Sequence, residues 1–197
     1  RILQESRGHL DRLRASGAAV AGLIDRPRSA DVLALLHLAG MPDESISDEA
    51  LRANPFRGLT DRSLFAGLLP PGHRSARFVD ASPVNRDFQA RHQQVHFFYL
   101  NTGPRAMLVR VEIPEWVAGR ADLLNLVHAG ILEECRTTGG YPYALVRAHE
   151  LAVLNPVERE ELDRLVTAAL QQRRLEPRIS QKALTKKWLG PRKRHHI

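Results

Sequence analysis

The chain has 197 residues, 43% of them apolar, a size that suits one domain or one domain with appendages and leaves enough material for a core. No run of about 18 apolar residues occurs and the opening RILQESRGHL lacks the features of a secretory signal, so no helical membrane span is expected and the expected location is cytoplasmic. The formal net charge is +7, and the single cysteine, Cys135, excludes an internal disulfide framework and a cysteine-rich zinc site.

Residues 2–15 place Ile2, Leu3, Leu10 and Leu13 at helical spacing, which predicts an amphipathic helix ended by Gly17. With an arginine at position 1, inside that helical pattern, the chain is expected to be a fragment. AAVAGLID (18–25) is a short apolar run that stops at a charge, as a buried strand does at a sheet edge. The polar turn RPRS follows, with Ser29 as N-cap of a helix through ADVLALLHLAG to Gly40. Between residues 41 and 93 turn signals dominate. They are interrupted by a short helix, DRSLFAGLL, capped by Thr60 or Asp61 and stopped by Pro70-Pro71-Gly72, and by a strand in SARFV.

VHFFYLN (95–101) and RAMLVRVEIP (105–114) predict the two strands of an antiparallel hairpin. Alternation puts His96 and Phe98 on one face and Phe97 and Tyr99 on the other. Beyond Glu115 the chain reads as helical: EWVAG, RADLLNLVHAGILEECR, the stretch GGYPYALVRAHELAVL (139–154), and PVEREELDRLVTAALQQRRL with Pro156 in its first turn. Together these elements predict an α/β domain, a mixed sheet flanked by helices. No internal repeat is visible.

The positive charge is concentrated at one end. From Arg173 onward nine basic residues face a single acid, Glu176, a net +8 that leaves the preceding residues near −1. The domain is therefore expected to cover residues 1–178, followed by a basic tail over 179–197. Such a segment attracts phosphate through counterion release, and Trp188 adds a ring for base stacking. For residues 190–197 a solvated tail is the competing reading.

No HExxH pair, P-loop or GxSxG turn is present, which disfavours the enzyme classes built on them. Asp25 ends an apolar strand, where a sheet presents residues to a cleft; the alternative is a turn aspartate holding local amides ahead of Pro27. Arg26 and Arg28 beside it offer forked donors that suit phosphate oxygens. His149 sits among Leu145, Val146, Ala148, Leu151, Ala152 and Val153, and is either a group that moves a proton, binds a metal or contacts phosphate, or a core histidine. Tyr141 and Tyr143 are either packing residues or hydroxyls that reach the solvent.

The segments VAGLIDRPRSADVLALL, LTDRSLFAGLLPPGHRSARF, VHFFYLNTG, VRVEIPEWVA, GGYPYALVRAHELAVL and SQKALTKK, in that order, resemble the carboxy-terminal half of NurA-domain nucleases, most of all their bacterial branch. The resemblance implies an RNase H-like core, manganese or magnesium as cofactor, DNA as substrate, a homodimer, and 5'-3' end resection in recombination repair coupled to a HerA-type hexameric translocase. It also implies catalytic roles for His149, at the metal, and for Tyr141; the residues themselves make Asp25 the further catalytic candidate and Arg26, Arg28, Arg147, Lys182, Lys186 and Lys187 the candidate nucleic-acid contacts. The family's principal metal carboxylates lie in its amino-terminal half. No DGS motif occurs here and Glu5 stands in a different context, so the chain is expected to supply one wall of an active site. A non-catalytic nucleic-acid-binding or ATPase-docking module is the alternative.

Overall fold

The computed structural model describes residues 2–103, 107–153 and 155–173. In chain order the elements are α1 (Ile2–Ala15), β1 (Gly22–Ile24), α2 (Asp31–Ala39), a 3-10 turn (Asp43–Ser45), α3 (Asp48–Arg52), α4 (Asp61–Leu68), β2 (Phe78–Val79), α5 (Pro83–Gln89), β3 (Val95–Asn101), β4 (Leu108–Pro114), α6 (Glu115–Ala118), α7 (Ala121–Thr138), α8 (Tyr143–Ala152) and α9 (Pro156–Gln172). The chain divides into two compact units, residues 1–147 and 148–197, and the whole sheet belongs to the first.

The class is the expected one, α/β with helices over a sheet. Strand direction differs from the expected mixed sheet: the order is β1-β4-β3-β2 and every pairing is antiparallel. The cause is the hairpin at its centre, where Val95 pairs with Pro114 and Asn101 with Leu108. β1 and β2 then add at the outer sides of that hairpin, each against a strand running the other way. Both edge strands are shorter than expected. In the SARFV segment only Phe78 and Val79 form strand, preceded by an isolated bridge between Arg74 and Leu100. There the Ser75 hydroxyl accepts the Tyr99 N–H, a side chain standing in for the ladder.

Alternation along the hairpin splits the core as the sequence predicts. Phe98, Leu100, Val109, Val111 and Ile113 pack on one face against Val117, Ala118, Leu123, Leu124 and Val127 of α6 and α7. On the other face Phe97, Tyr99 and Leu108 meet Val32 of α2 and Phe65 of α4. Phe65 stacks on Tyr99 with ring centroids 4.8 Å apart, and Phe97 meets the same tyrosine edge-on. Arg110 and Glu112 alternate with the apolar residues of β4, so that strand turns a charged stripe toward this second face.

The start of α2 corrects the expectation for Ser29. Ala30 holds the N-cap position and makes no side-chain bond. The cap comes from Asp61 at the start of α4, whose two carboxylate oxygens accept the N–H groups of Val32 (3.1 Å) and Leu33 (3.0 Å). Thr60 caps α4 itself through the Ser63 N–H. Asp61 is fully buried and also accepts the Tyr99 hydroxyl at 2.9 Å, so one carboxylate joins α2, α4 and β3. In the second unit, α9 opens with a reciprocal capping box between Asn155 and Glu158.

Asp61→Ala is expected to lower unfolding stability by about 2–5 kcal/mol, because it removes the helix cap and the acceptor that Tyr99 uses within the buried network. Urea denaturation of the variant beside the wild type checks this, and a midpoint unchanged within error would show that α2 needs no cap from α4.

Candidate functional site

β1 and β3 both run antiparallel to β4, so they run the same way as each other and finish at the same end of the sheet. Asp25 follows the last residue of β1, and Thr102 the last residue of β3. The two strands are separated by β4 alone, two inter-strand steps or about 10 Å.

Thr102 ties this end of the sheet to the Gly-Gly-Tyr-Pro turn. Its hydroxyl donates to the Gly140 carbonyl at 2.7 Å. α7 ends at Gly139 in the left-handed conformation (φ 79°), and Gly140 follows at φ 134° with its N–H on the Cys135 carbonyl. At that φ a side chain would be strained, which is the reason for glycine at 140; the Met107 side chain lies against it. The Thr138 hydroxyl holds the Tyr141 carbonyl, and the Glu134 carboxylate accepts the Ala144 N–H at 2.7 Å, fixing the first turn of α8. The half-buried Tyr141 is thus delivered to the sheet end that carries Asp25.

Asp25 is exposed and its carboxylate takes no hydrogen bond from another described residue, so it does not serve as a cap for the turn ahead of Pro27. Arg26 and Arg28 are exposed on the same loop. Beneath the loop lies a cavity of about 320 Å³ lined by Arg28, Ser29, Asp31, Asp80, Arg110 and Glu112.

The floor of that cavity is built around Arg110, which is 4% exposed. Its guanidinium donates to Asp31 (2.6 Å), Asp80 (2.5 Å) and Glu112 (3.0 Å) and lies over the Phe97 ring, 3.7 Å from the centroid. Burial works against the Arg110 charge, but the bond to Asp31 and the charges of Glu112 and Asp31 outweigh it and raise its pKa. Burial likewise pushes the Asp80 carboxyl up, yet bonds from Ser82 and the Arg110 charge hold it below its ordinary value.

A second arm runs from the same guanidinium. Arg110 donates to the Ser29 hydroxyl (3.3 Å), which stands 2.9 Å from the Tyr99 hydroxyl, which in turn donates to Asp61. Since the single Tyr99 proton goes to Asp61, the Ser29 proton must point at the Tyr99 oxygen. Burial, reinforced by the neighbouring Asp61, pushes the Tyr99 phenol up to about 12. The loop from Asp25 to Asp31 is therefore held from below at Ser29 and Asp31.

The three carboxylates around Arg110 are engaged by it and are not open ligands. Among the described residues no group of three or more His, Cys, Asp and Glu side chains is placed to hold a metal ion. The described residues therefore do not by themselves fit the manganese or magnesium ion that the resemblance implies.

His149 is exposed on α8 and belongs to the second unit, and with no buried residue on that helix it is not a core histidine. Arg147 is exposed on the same helix. Lys182, Lys186, Lys187 and the basic tail lie outside the described residues. The network of Arg110, Asp31, Asp80, Glu112 and Asp61 was not among the sequence candidates. Its one visible signal is LVRVEIP, where two charges stand two apart in an otherwise apolar strand, both on one face.

Arg110→Met should destabilise the fold by about 3 kcal/mol at pH 7, at the lower end for a broken buried pair because Asp31 and Glu112 stay partly exposed. The pH dependence should also change sign. In the wild type the Asp80 carboxyl is depressed in the folded state, so its contribution is present above its unfolded pKa of about 3.9 and is lost as pH falls through the folded value. In Arg110→Met the crowded carboxylates favour protonation, and stability should rise between pH 7 and pH 5. Denaturant midpoints at these pH values test both statements.

A family model described as NurA domain matches residues 3–154. No curated protein and no solved structure gives a match. The matched span takes in the entire sheet, the Asp25 loop, the Tyr141 turn and α8. The chain belongs to the NurA domain family, a family of nucleases.

Proposed function

We propose that this chain carries part of the active site of a metal-dependent deoxyribonuclease, in the bacterial branch of its family and with an RNase H-like core. The observation that carries the reading is the convergence at one end of the sheet: an exposed, unengaged Asp25 carboxylate and the rigid turn bearing Tyr141. In this reading Arg26, Arg28 and Arg147 hold phosphate oxygens, with Lys182, Lys186 and Lys187 extending the contact. His149 moves a proton or binds the metal, and Tyr141 hydrogen-bonds the scissile phosphate. A manganese or magnesium ion belongs to the reading because a divalent ion generates a nucleophile from water and stabilises charge on the leaving oxygen. Its remaining ligands would come from outside the described residues.

The biological setting that goes with this activity is 5'-3' end resection in recombination repair, by a homodimer working with a HerA-type translocase. Support for protein partners comes from the second unit, where Leu151, Val157 and Leu165 are 78%, 73% and 63% exposed.

Two experiments test the proposal. Because no three-ligand group exists among the described residues, the purified chain should bind DNA but cleave it poorly with manganese. Rapid cleavage by this chain would show that its own residues complete the centre. In the full-length nuclease, Asp25→Asn and His149→Ala should each lower single-turnover cleavage by roughly 100-fold or more. Both side chains are exposed, so melting temperature should hardly move. Variants that cleave at the normal rate would remove these residues from the mechanism.

A further inference from the structure

The edge of the sheet opposite β1 carries Arg74 and Arg77, near enough for the charge of the second to act on the first. The segment from Gly72 to Ser75 runs along the outer side of β3: the Gly72 N–H donates to Asn101, the Asn101 N–H to His73, and Arg74 bridges to Leu100. Arg74 is therefore mounted on a fixed backbone, as a site residue requires.

Its side chain is aimed by neutral partners. One terminal nitrogen donates to Asn125 Oδ1 at 2.9 Å and the other to His128 Nδ1 at 2.8 Å, both on α7, and the guanidinium carbon stands 6.0 Å from the Phe98 ring centroid. His128 Nε2 lies 3.0 Å from the Gly72 carbonyl. These partners require the tautomer with the proton on Nε2, leaving Nδ1 as an acceptor for the arginine. Burial lowers the His128 pKa, and the charges of Arg74 and His73 lower it further, which keeps that acceptor available. Burial and the Arg77 charge likewise lower the Arg74 pKa.

Neither Arg74 nor Arg77 forms an ion pair with any described residue. This contrasts with Arg110, which has three carboxylates. Two of the five guanidinium N–H donors of Arg74 are used by Asn125 and His128, which fix its plane while leaving its charge uncompensated. Two cations held near one another without a counter-charge are destabilising unless an anion arrives. The exposed Arg77 and His73 flank the same edge.

We propose that Arg74 and Arg77 form a phosphate clamp for a DNA strand, a second contact separate from the arginines of the Asp25 loop. The proposal rests on the nuclease reading and specifies where that nuclease holds its substrate. From the line of β1 to the line of Arg74 there are three inter-strand steps, roughly 14 Å. A stacked strand carries one phosphate per about 3.4 Å, so a strand crossing this end of the sheet places about four nucleotides between the two contacts. Arg74 then holds the strand away from the Asp25 loop without taking part in bond cleavage.

The test is fluorescence anisotropy of a labelled single-stranded oligonucleotide with the whole chain, across a salt series. Arg74→Gln/Arg77→Gln should weaken binding at least about tenfold at about 50 mM salt. It should also reduce the slope of log affinity against log salt by about 1.4, two contacts at about 0.7 each. Arg74→Lys/Arg77→Lys keeps the charges and should restore most of the slope, with thermal melting confirming that both variants fold. An unchanged slope in the folded Gln variant overturns the clamp while leaving the nuclease reading intact. Failure of the wild type to bind DNA overturns both. Binding of labelled polyglutamate that falls in parallel with the oligonucleotide would assign the patch to an acidic protein instead, and the clamp would be wrong.

Discussion

A guanidinium buried beneath two helices is the constraint around which this domain is arranged. Arg110 stands on the central strand pair, on a face otherwise made of Phe97, Tyr99 and Leu108. A charge in that position is tolerated only with opposite charges in good geometry. The carboxylates come from three places: the first residue of α2, the loop after β2, and the same strand two residues on. Neutralising Arg110 therefore fixes where α2 begins and where the segment after β2 passes, and so fixes both ends of the cavity wall.

The hydroxyl relay extends this constraint to the other helix on that face. Arg110, Ser29, Tyr99 and Asp61 form a chain in which each donor has one acceptor, and Asp61 ends it by capping α2. Every member is satisfied, which is the condition under which a buried polar network specifies one arrangement. The opposite face does its packing with apolar residues and helices α6 and α7. That division of labour leaves the polar face to hold a loop in position and the apolar face to supply most of the burial.

The proposed function draws on what those networks leave unused. Inside the domain Asp31, Asp80 and Glu112 are matched by Arg110; among the described residues Asp25 has no hydrogen-bond partner, and Arg74, held by the neutral Asn125 and His128, and Arg77 have no counter-charge. In the proposed reading, an unmatched carboxylate at one edge of the sheet and unmatched guanidiniums at the other suit a surface that handles a polyanion. The turn before Tyr141 uses two glycines with positive φ, a backbone path that other residues rarely adopt.

Much of this was legible from residues alone. The hairpin, its two faces and the helices from Glu115 onward follow from period-2 and period-3.6 patterning and from local turn chemistry, all short-range properties. Asp25, Arg26 and Arg28 could be singled out because the end of an apolar strand is itself a local event. The source of the α2 cap was not legible: Ser29 has the right type and place, but the buried Tyr99 hydroxyl and Arg110 claim it, and Asp61 supplies the cap from 28 residues away in sequence. Nor was it legible that Arg110 binds Asp31 and Asp80, or that Arg74 leans on His128, since those partners are 79, 30 and 54 positions apart. Sequence determined which segments become helix or strand and which side of a strand is apolar, because a residue's neighbours along the chain decide both. Only the tertiary structure decided which charges are matched and which are not, because that depends on side chains brought together across the sheet.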